Sequence, residues 1–115
     1  MTVTIYHNPR CSKSRQTLAL LEERGIAPRV VRYLETPPDA AELKRVLGLL
    51  GLSARDLLRT GEAAYKENGL ADPALDEDAL IAAMVADPIL IQRPIVISGE
   101  TARIGRPPDA VLEIL

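Results

Sequence analysis

The chain has only one cysteine, Cys11, and only one histidine, His7, among its 115 residues. A single cysteine excludes an internal disulfide, a CxxC redox pair and a zinc site built from several thiolates. A chain whose thiol stays free fits the reducing cytosol, so we expect a cytoplasmic protein. No pattern in the sequence indicates a bound metal or flavin.

Long apolar runs and a strong net charge are missing as well. No apolar run approaches the ~20 residues that a membrane span needs, and the first residues lack the charged start of a signal peptide. The formal net charge of −2 is too small to indicate a nucleic-acid or membrane partner. The length and a hydrophobic fraction of 47% predict one globular domain over residues 1–115.

Strand and helix patterns alternate at both ends of the chain. The first part predicts a strand at 2–6, a helix at 12–24 and a strand at 29–34. The last part predicts strands at 95–98 and 101–104 around Gly99-Glu100, which favours a type II′ turn, and a final helix at 107–113. Helix patterns fill the middle. Those at 39–50 and 53–59 start with a capping-box pattern, and two more lie at 62–67 and 76–85.

This order of elements predicts an α/β fold with a mixed sheet. The first β-α-β unit needs a right-handed crossover, which gives a parallel strand pair. The final hairpin adds two antiparallel strands and completes a four-stranded sheet of the thioredoxin-like kind. The helical block, about 39–88, is then an insertion between the βαβ and ββα halves.

Cys11 lies in the turn between the first strand and the first helix, where α/β sheets collect ligands. Unpaired N–H groups at the helix start, with the nearby cations Arg10, Lys13 and Arg15, favour a thiolate or an oxyanion there. Such a site lowers the pKa of a cysteine from about 8.5 to about 3.5–7.5, which makes it a nucleophile at neutral pH. The alternative is a structural cysteine in the core, although these charged neighbours fit deep burial poorly.

His7 and Ser14 each have two interpretations. His7 is either a neutral structural residue at a strand end or, when protonated, a group close enough to Cys11 to support the thiolate. Ser14 either returns its hydroxyl to the sulfur after one helical turn or is a simple polar residue of the first turn. The CxxS spacing excludes a dithiol mechanism, because serine cannot form a disulfide.

Four segments of the chain carry a family pattern in the expected order. They read YHNPRCSKSR at 6–15, RDLLR at 55–59, QRPIV at 92–96 and IGRPP at 104–108. Together they resemble the ArsC family of glutaredoxin-linked arsenate reductases over essentially the whole chain. One departure is that many active members have glycine and threonine after the cysteine, whereas this chain has Ser12 and Lys13.

The resemblance implies a thioredoxin-like fold with a helical insertion and a role for each residue of the nucleophile loop. Cys11 would be the catalytic nucleophile, and His7 and Ser14 would lower the pKa of its thiol. Pro94 would be the cis-proline of the thioredoxin-like fold.

The resemblance also implies that Arg59, Arg93 and Arg106 bind the arsenic oxyanion. Arginine suits this role because its planar fork of donors keeps its charge and matches the oxygens of an anion. From the residues alone, each of these arginines could equally be a solvated surface charge.

The implied reaction is the reduction of arsenate to arsenite. Cys11 would attack arsenic to form a thioarsenate, and glutathione as co-substrate, with glutaredoxin as partner, would resolve it because the chain has no second cysteine. No cofactor would be bound. The alternatives are an Spx-like redox-responsive regulator that binds RNA polymerase and a glutathione-dependent thiol transferase, and the missing CxxC pair and the arginines favour the reductase over the regulator.

Overall fold

The computed structural model describes residues 2–115, which divide into two compact units. The first unit combines the residues up to Thr36 with Arg93–Leu115, and the second unit is Pro37–Gln92. The bounds of the second unit lie within a few residues of the predicted helical insertion at about 39–88. The prediction of one domain over residues 1–115 stays a prediction.

The first unit is built on a four-stranded sheet. Its strands are β1 (Val3–Tyr6), β2 (Arg29–Val31), β3 (Ile95–Ser98) and β4 (Thr101–Ile104). The strand order is β2-β1-β3-β4, in which β1 is parallel to β2 and antiparallel to β3, and β3 is antiparallel to β4. This arrangement confirms the predicted mixed sheet and places the parallel pair next to the nucleophile loop.

Helix α1 (Ser12–Glu23) connects β1 to β2 and is anchored in the core of the first unit. Ser14, Thr17 and Leu21 are its buried positions. Leu21 packs in one cluster with core residues of the sheet and of the C-terminal 3-10 helix (Pro108–Ile114), namely Ile5, Val96 and Val111. Burial of these side chains fixes the start of α1, and with it the loop that carries Cys11.

Two predicted elements of the first unit differ from the structure. β2 ends at Val31 instead of residue 34, because the chain turns there and the Glu35 N–H donates to the Arg32 carbonyl at 2.9 Å. The predicted final α-helix is a 3-10 helix, whose Ala110 N–H donates to the Pro107 carbonyl at 3.0 Å, the spacing of a 3-10 turn.

The predicted hairpin turn between β3 and β4 is confirmed. Gly99 has φ +60°, and no residue other than glycine has a positive φ within residues 2–115. A positive φ at the first central position alone is the signature of a type II′ turn.

The second unit contains the helices α2 (Ala40–Leu50), α3 (Ala54–Leu57), α4 (Ala63–Glu67) and α5 (Glu77–Ala86), followed by a 3-10 turn (Pro88–Leu90). Helix α5 contacts α2, α3 and this turn. Helix α3 ends at Leu57 instead of residue 59, because Leu58 leaves the helix to form an antiparallel bridge with Ile91. No helix within residues 2–115 is both long and apolar enough to span a membrane.

Three helices of the second unit, α2, α3 and α5, begin at side-chain caps. Asp39 accepts a hydrogen bond from the Glu42 N–H at 2.8 Å, and Asp76 accepts one from the Ala79 N–H at 2.8 Å. Ser53 and Asp56 form a reciprocal capping box at the start of α3. These contacts satisfy N–H groups that a helix leaves unpaired at its start.

Candidate active site

Cys11 is the residue that immediately precedes α1, so its partly exposed thiol lies at the positive end of the helix. A turn brings the chain to this point, in which the Cys11 N–H donates to the Asn8 carbonyl at 3.0 Å. The first turn of α1 has no acidic side chain. The N–H groups at the helix start therefore remain available to a negatively charged sulfur or ligand.

The pKa of the Cys11 thiol lies below its ordinary value. Burial raises this pKa, but hydrogen bonds from the Ser14 backbone N–H, the Arg93 side chain and the Lys13 backbone N–H outweigh burial, helped by the positive charge of Arg93. Donors and positive charge stabilise the thiolate, which is the nucleophilic form of cysteine.

Two of the three predicted arginines lie at the sulfur. Arg106 Nη2 is 3.5 Å from Cys11 Sγ, and Arg106 Nε donates to the backbone carbonyl of Arg93 at 2.7 Å. The Arg93 side chain hydrogen bonds to the same sulfur. Guanidinium groups from two separate loops thus converge on one thiol, and their charge and fixed donors are of the kind that suits an anion.

Pro94 and Gly105 hold these two loops together. The peptide bond before Pro94 is cis, as the resemblance implies, and so is the bond before Pro107. The Gly105 N–H donates to the Pro94 carbonyl at 2.9 Å. Arg93 directly precedes Pro94 and Arg106 directly follows Gly105, so this hydrogen bond also fixes the backbone of the two arginines relative to each other.

Gly105 was not singled out from the sequence. A Cβ atom at this position would lie 2.5 Å from Thr17 Oγ1 and 2.8 Å from Pro94 Cγ, so that only glycine fits between α1 and the proline ring. Thr17 is fully buried, and its hydroxyl donates to the Lys13 carbonyl at 2.8 Å. The only signal in the sequence was the place of Gly105 directly before Arg106.

Ser14 does not direct its hydroxyl to the sulfur in the manner that its spacing suggested. Ser14 Oγ accepts a hydrogen bond from the Asn8 N–H at 3.0 Å and lies 2.6 Å from His7 Nδ1. Its backbone N–H, in contrast, acts on the Cys11 thiol and lowers the pKa of this group. One residue therefore contacts both the sulfur and the loop that precedes it.

His7 is buried, and its surroundings favour the neutral form. Burial lowers the pKa of His7, and the positive charges of Arg32 and Arg15 lower it further. A neutral imidazole acts on the nucleophile loop through Ser14, not through a positive charge at Cys11. The predicted contribution of His7 to the pKa of Cys11 stays a prediction.

Arg59 belongs to the second unit, where it is held by local contacts. Its Nε is 3.1 Å from Glu62 Oε1, and its Nη1 donates to Gln92 Oε1 at 3.1 Å. Its backbone N–H donates to the Leu90 carbonyl at 2.7 Å. Its predicted role in binding an oxyanion stays a prediction.

Arg15, which the sequence marked only as a nearby cation, also has a structural contact. Its Nη1 donates to the Pro9 carbonyl at 2.9 Å and so ties the start of α1 to the nucleophile loop.

Within residues 2–115, no group of three or more His, Cys, Asp or Glu side chains is placed to hold a metal ion.

Comparison with known proteins gives consistent matches. The model of the ArsC family matches residues 6–114. An Escherichia coli K12 protein, YfgD, described as uncharacterized, is 61% identical over 98% of this chain and 96% of its own length. An arsenate reductase of Neisseria meningitidis serogroup A is 53% identical over 98% of this chain and 97% of its own length.

A solved structure described as an arsenate reductase from Vibrio cholerae superposes with a TM-score of 0.98. It is 59% identical and the match covers 100% of this chain and 98% of that one. The fold is the thioredoxin-like fold of these proteins, as the order of elements predicts. The chain belongs to the ArsC family.

Proposed function

We propose that the protein reduces arsenate to arsenite, with Cys11 as the nucleophile and glutathione as the reductant. The observation that carries this proposal is the convergence of Arg93 and Arg106 on a cysteine whose pKa is lowered. Relatives that share about half of its sequence are named arsenate reductases, which supports the same substrate here.

In the first proposed step, arsenate binds at the start of α1 between the two guanidinium groups, with Arg59 as a third cation. The Cys11 thiolate attacks arsenic, a sulfur–arsenic bond forms, and one arsenic–oxygen bond breaks. The departing oxygen takes up protons from solvent and leaves as water. The guanidinium donors stabilise the negative charge on the remaining oxygens.

In the second proposed step, an external thiol resolves the adduct, because the chain has no second cysteine. A glutathione thiolate attacks the Cys11 sulfur and forms a mixed disulfide. The electron pair of the sulfur–arsenic bond stays on arsenic, which leaves as arsenite. Two thiols are thus oxidised to one disulfide while arsenic gains two electrons.

The cycle closes when the glutathione is removed from Cys11. We assign this step to glutaredoxin, which transfers the disulfide to a second glutathione by thiol–disulfide exchange. A cytoplasmic location is part of the same proposal, because the glutathione pool keeps thiols reduced there.

The test is arsenite production from arsenate with glutathione and glutaredoxin, for the wild-type protein and Cys11→Ser. We expect Cys11→Ser to lose about 10³-fold or more of the rate, because no other thiol can attack. Arg103→Gln is a matched control, since this arginine lies on β4 and pairs with Glu113 at the surface.

Equal rates for the wild-type protein and Cys11→Ser would end the proposal. Replacing glutaredoxin by thioredoxin tests the partner separately, and an unchanged rate would remove glutaredoxin from the cycle. Turnover of a glutathionylated peptide without arsenate turnover would instead favour the thiol transferase.

A further inference from the structure

A pocket of about 190 Å³ lies beside the nucleophile loop, at the carboxyl ends of β1 and β2. Residues 7–10 form one wall, and Arg32, Leu34 and Glu35 from the loop after β2 form the other. The His7 N–H donates to the Val31 carbonyl at 2.8 Å and joins the two walls. The carboxyl end of a parallel strand pair is where α/β sheets usually bind ligands.

The charges of this pocket favour a monoanionic group. Arg10 and Arg32 contribute two positive charges, and Glu35 contributes one negative charge. His7, which also lines the pocket, is buried, and burial and the charge of Arg32 lower its pKa, which favours the neutral imidazole. A ligand with one negative charge would therefore neutralise the pocket.

The pocket lies one turn of chain away from the nucleophile. Asn8 lines the pocket, and its carbonyl accepts a hydrogen bond from the Cys11 N–H at 3.0 Å. The ends of such a turn are less than about 7 Å apart. One extended residue spans about 3.3–3.6 Å, so a peptide with its sulfur at Cys11 can reach the pocket with a group one or two residues away.

We propose that this pocket binds the C-terminal carboxylate of the thiol peptide that resolves Cys11, with the Arg10 and Arg32 side chains as donors. The inference rests on the proposed function, because it takes glutathione as that thiol. In glutathione, the terminal carboxylate follows the cysteine by one residue. The γ-glutamyl end also carries an ammonium group, which two guanidinium groups repel, so the glycine end is the better match.

The test uses S-methylglutathione, a thioether that can bind but cannot react. Its dissociation constant is measured by NMR titration of the wild-type protein, Arg32→Gln and Arg29→Gln. Arg32 is chosen because Arg10 is next to the nucleophile. Arg29 is the control, since it is an exposed arginine at the start of β2, three residues before Arg32, and does not line the pocket.

We expect Arg32→Gln to weaken binding about three- to tenfold, because it removes a charged donor from a partly exposed site. Arg29→Gln should bind as the wild-type protein does. Glu35→Gln should strengthen binding, because it removes the negative charge that opposes a carboxylate.

A second ligand separates a carboxylate contact from a general effect of charge. The glycine ethyl ester of S-methylglutathione lacks the terminal charge, so the wild-type protein should bind it more weakly than the acid. The ester should bind to Arg32→Gln as tightly as it binds to the wild-type protein. No measurable binding of S-methylglutathione, equal binding of acid and ester, or an equal loss of both ligands in Arg32→Gln would overturn the inference.

Turnover assays keep this inference apart from the proposed function. With arsenate as substrate, Arg32→Gln should raise the KM for glutathione and leave the KM for arsenate unchanged. A protein that shows the expected binding pattern but no arsenate turnover contradicts the proposed function. A protein with normal turnover that binds acid and ester alike contradicts only the pocket.

Discussion

The two compact units of the chain carry opposite charge. The first unit has nine arginine and lysine residues against six aspartate and glutamate residues, and the second has five against ten. The overall charge of −2 hides this difference. A nearly neutral chain therefore contains one unit suited to anions and one that is strongly acidic.

The position of the acidic residues explains much of the contrast. In the second unit, helices α2, α3 and α5 begin with Asp39, Ser53 and Asp76 as caps, and each has an acidic residue in its first turn. In the first unit, α1 begins at Cys11 and its first turn has no acidic residue. Carboxylates stabilise the helix starts of one unit, whereas the start of α1 is left for the sulfur and its ligand.

Among substitutions that leave the nucleophile in place, the largest effect should follow removal of Arg93. We expect Arg93→Gln to lower kcat/KM for arsenate about 10- to 100-fold, since hydrogen bonds to charged groups contribute about 1.5–3 kcal/mol. The same change should raise the pKa of Cys11, because it removes both a donor and a charge. The rate of alkylation by iodoacetamide, measured against pH, reports this pKa directly.

Arg59→Gln is the counterpart in the second unit. It should raise the KM for arsenate and leave the alkylation midpoint of Cys11 unchanged.

The pH dependence of the free energy of unfolding gives a further check on the pKa of Cys11, because a thiol with a lower pKa in the folded state binds fewer protons there. Its contribution to stability is present above about pH 8.5 and is lost as the pH falls through the folded-state pKa, and it should shrink in Arg93→Gln. An unchanged midpoint in Arg93→Gln would contradict this account.

The next effect concerns two glycines with different surroundings. Gly105→Ala should reduce the free energy of unfolding by about 1–3 kcal/mol, because the new Cβ meets Thr17 and Pro94. Gly48 lies in α2 with nothing within 4 Å, so Gly48→Ala should raise the free energy of unfolding by about 0.5–1 kcal/mol. Chemical denaturation measures both, and equal effects of either sign would show that the contact at Gly105 is not restrictive.

The smallest loss of stability should come from a helix cap in the second unit. Asp76→Ala should cost about 1 kcal/mol of stability, because the Ala79 N–H loses its acceptor. It should leave Cys11 alkylation unchanged. Lys13→Glu, which places an acid in the first turn of α1, should instead slow alkylation at a given pH. A slower alkylation in Asp76→Ala would show that the two helix starts are not independent.

Much of the fold follows from local patterns in the sequence. The bounds of β3 and β4 and the turn at Gly99 agree with the prediction, because alternation and a glycine signal are properties of a few adjacent residues. The predicted end of β2 and the predicted α-helical form of the last helix were wrong. Both depend on hydrogen bonds formed where the chain turns, which propensity alone does not specify.

The candidate site depends on contacts between distant parts of the chain. The sequence alone indicated Cys11 at the start of a helix, whereas the roles of Arg93 and Arg106 came from the resemblance. The need for glycine at position 105 arises from Thr17 and Pro94, which no local pattern connects to it. The hydroxyl of Ser14 faces His7 and Asn8 because of the direction of its side chain, which residue spacing does not determine.

The two contacts of Arg106 have a consequence for the order of events at the sulfur. Its Nε is occupied by a carbonyl oxygen, which fixes the plane of the guanidinium group, while its Nη2 faces the thiol. A sulfur that has shared its lone pair with an electrophile accepts hydrogen bonds poorly. In the proposed reaction, the same N–H would then be available to an oxygen carried in by that electrophile, so that one rigid donor would serve the attacking atom first and the attached group afterwards.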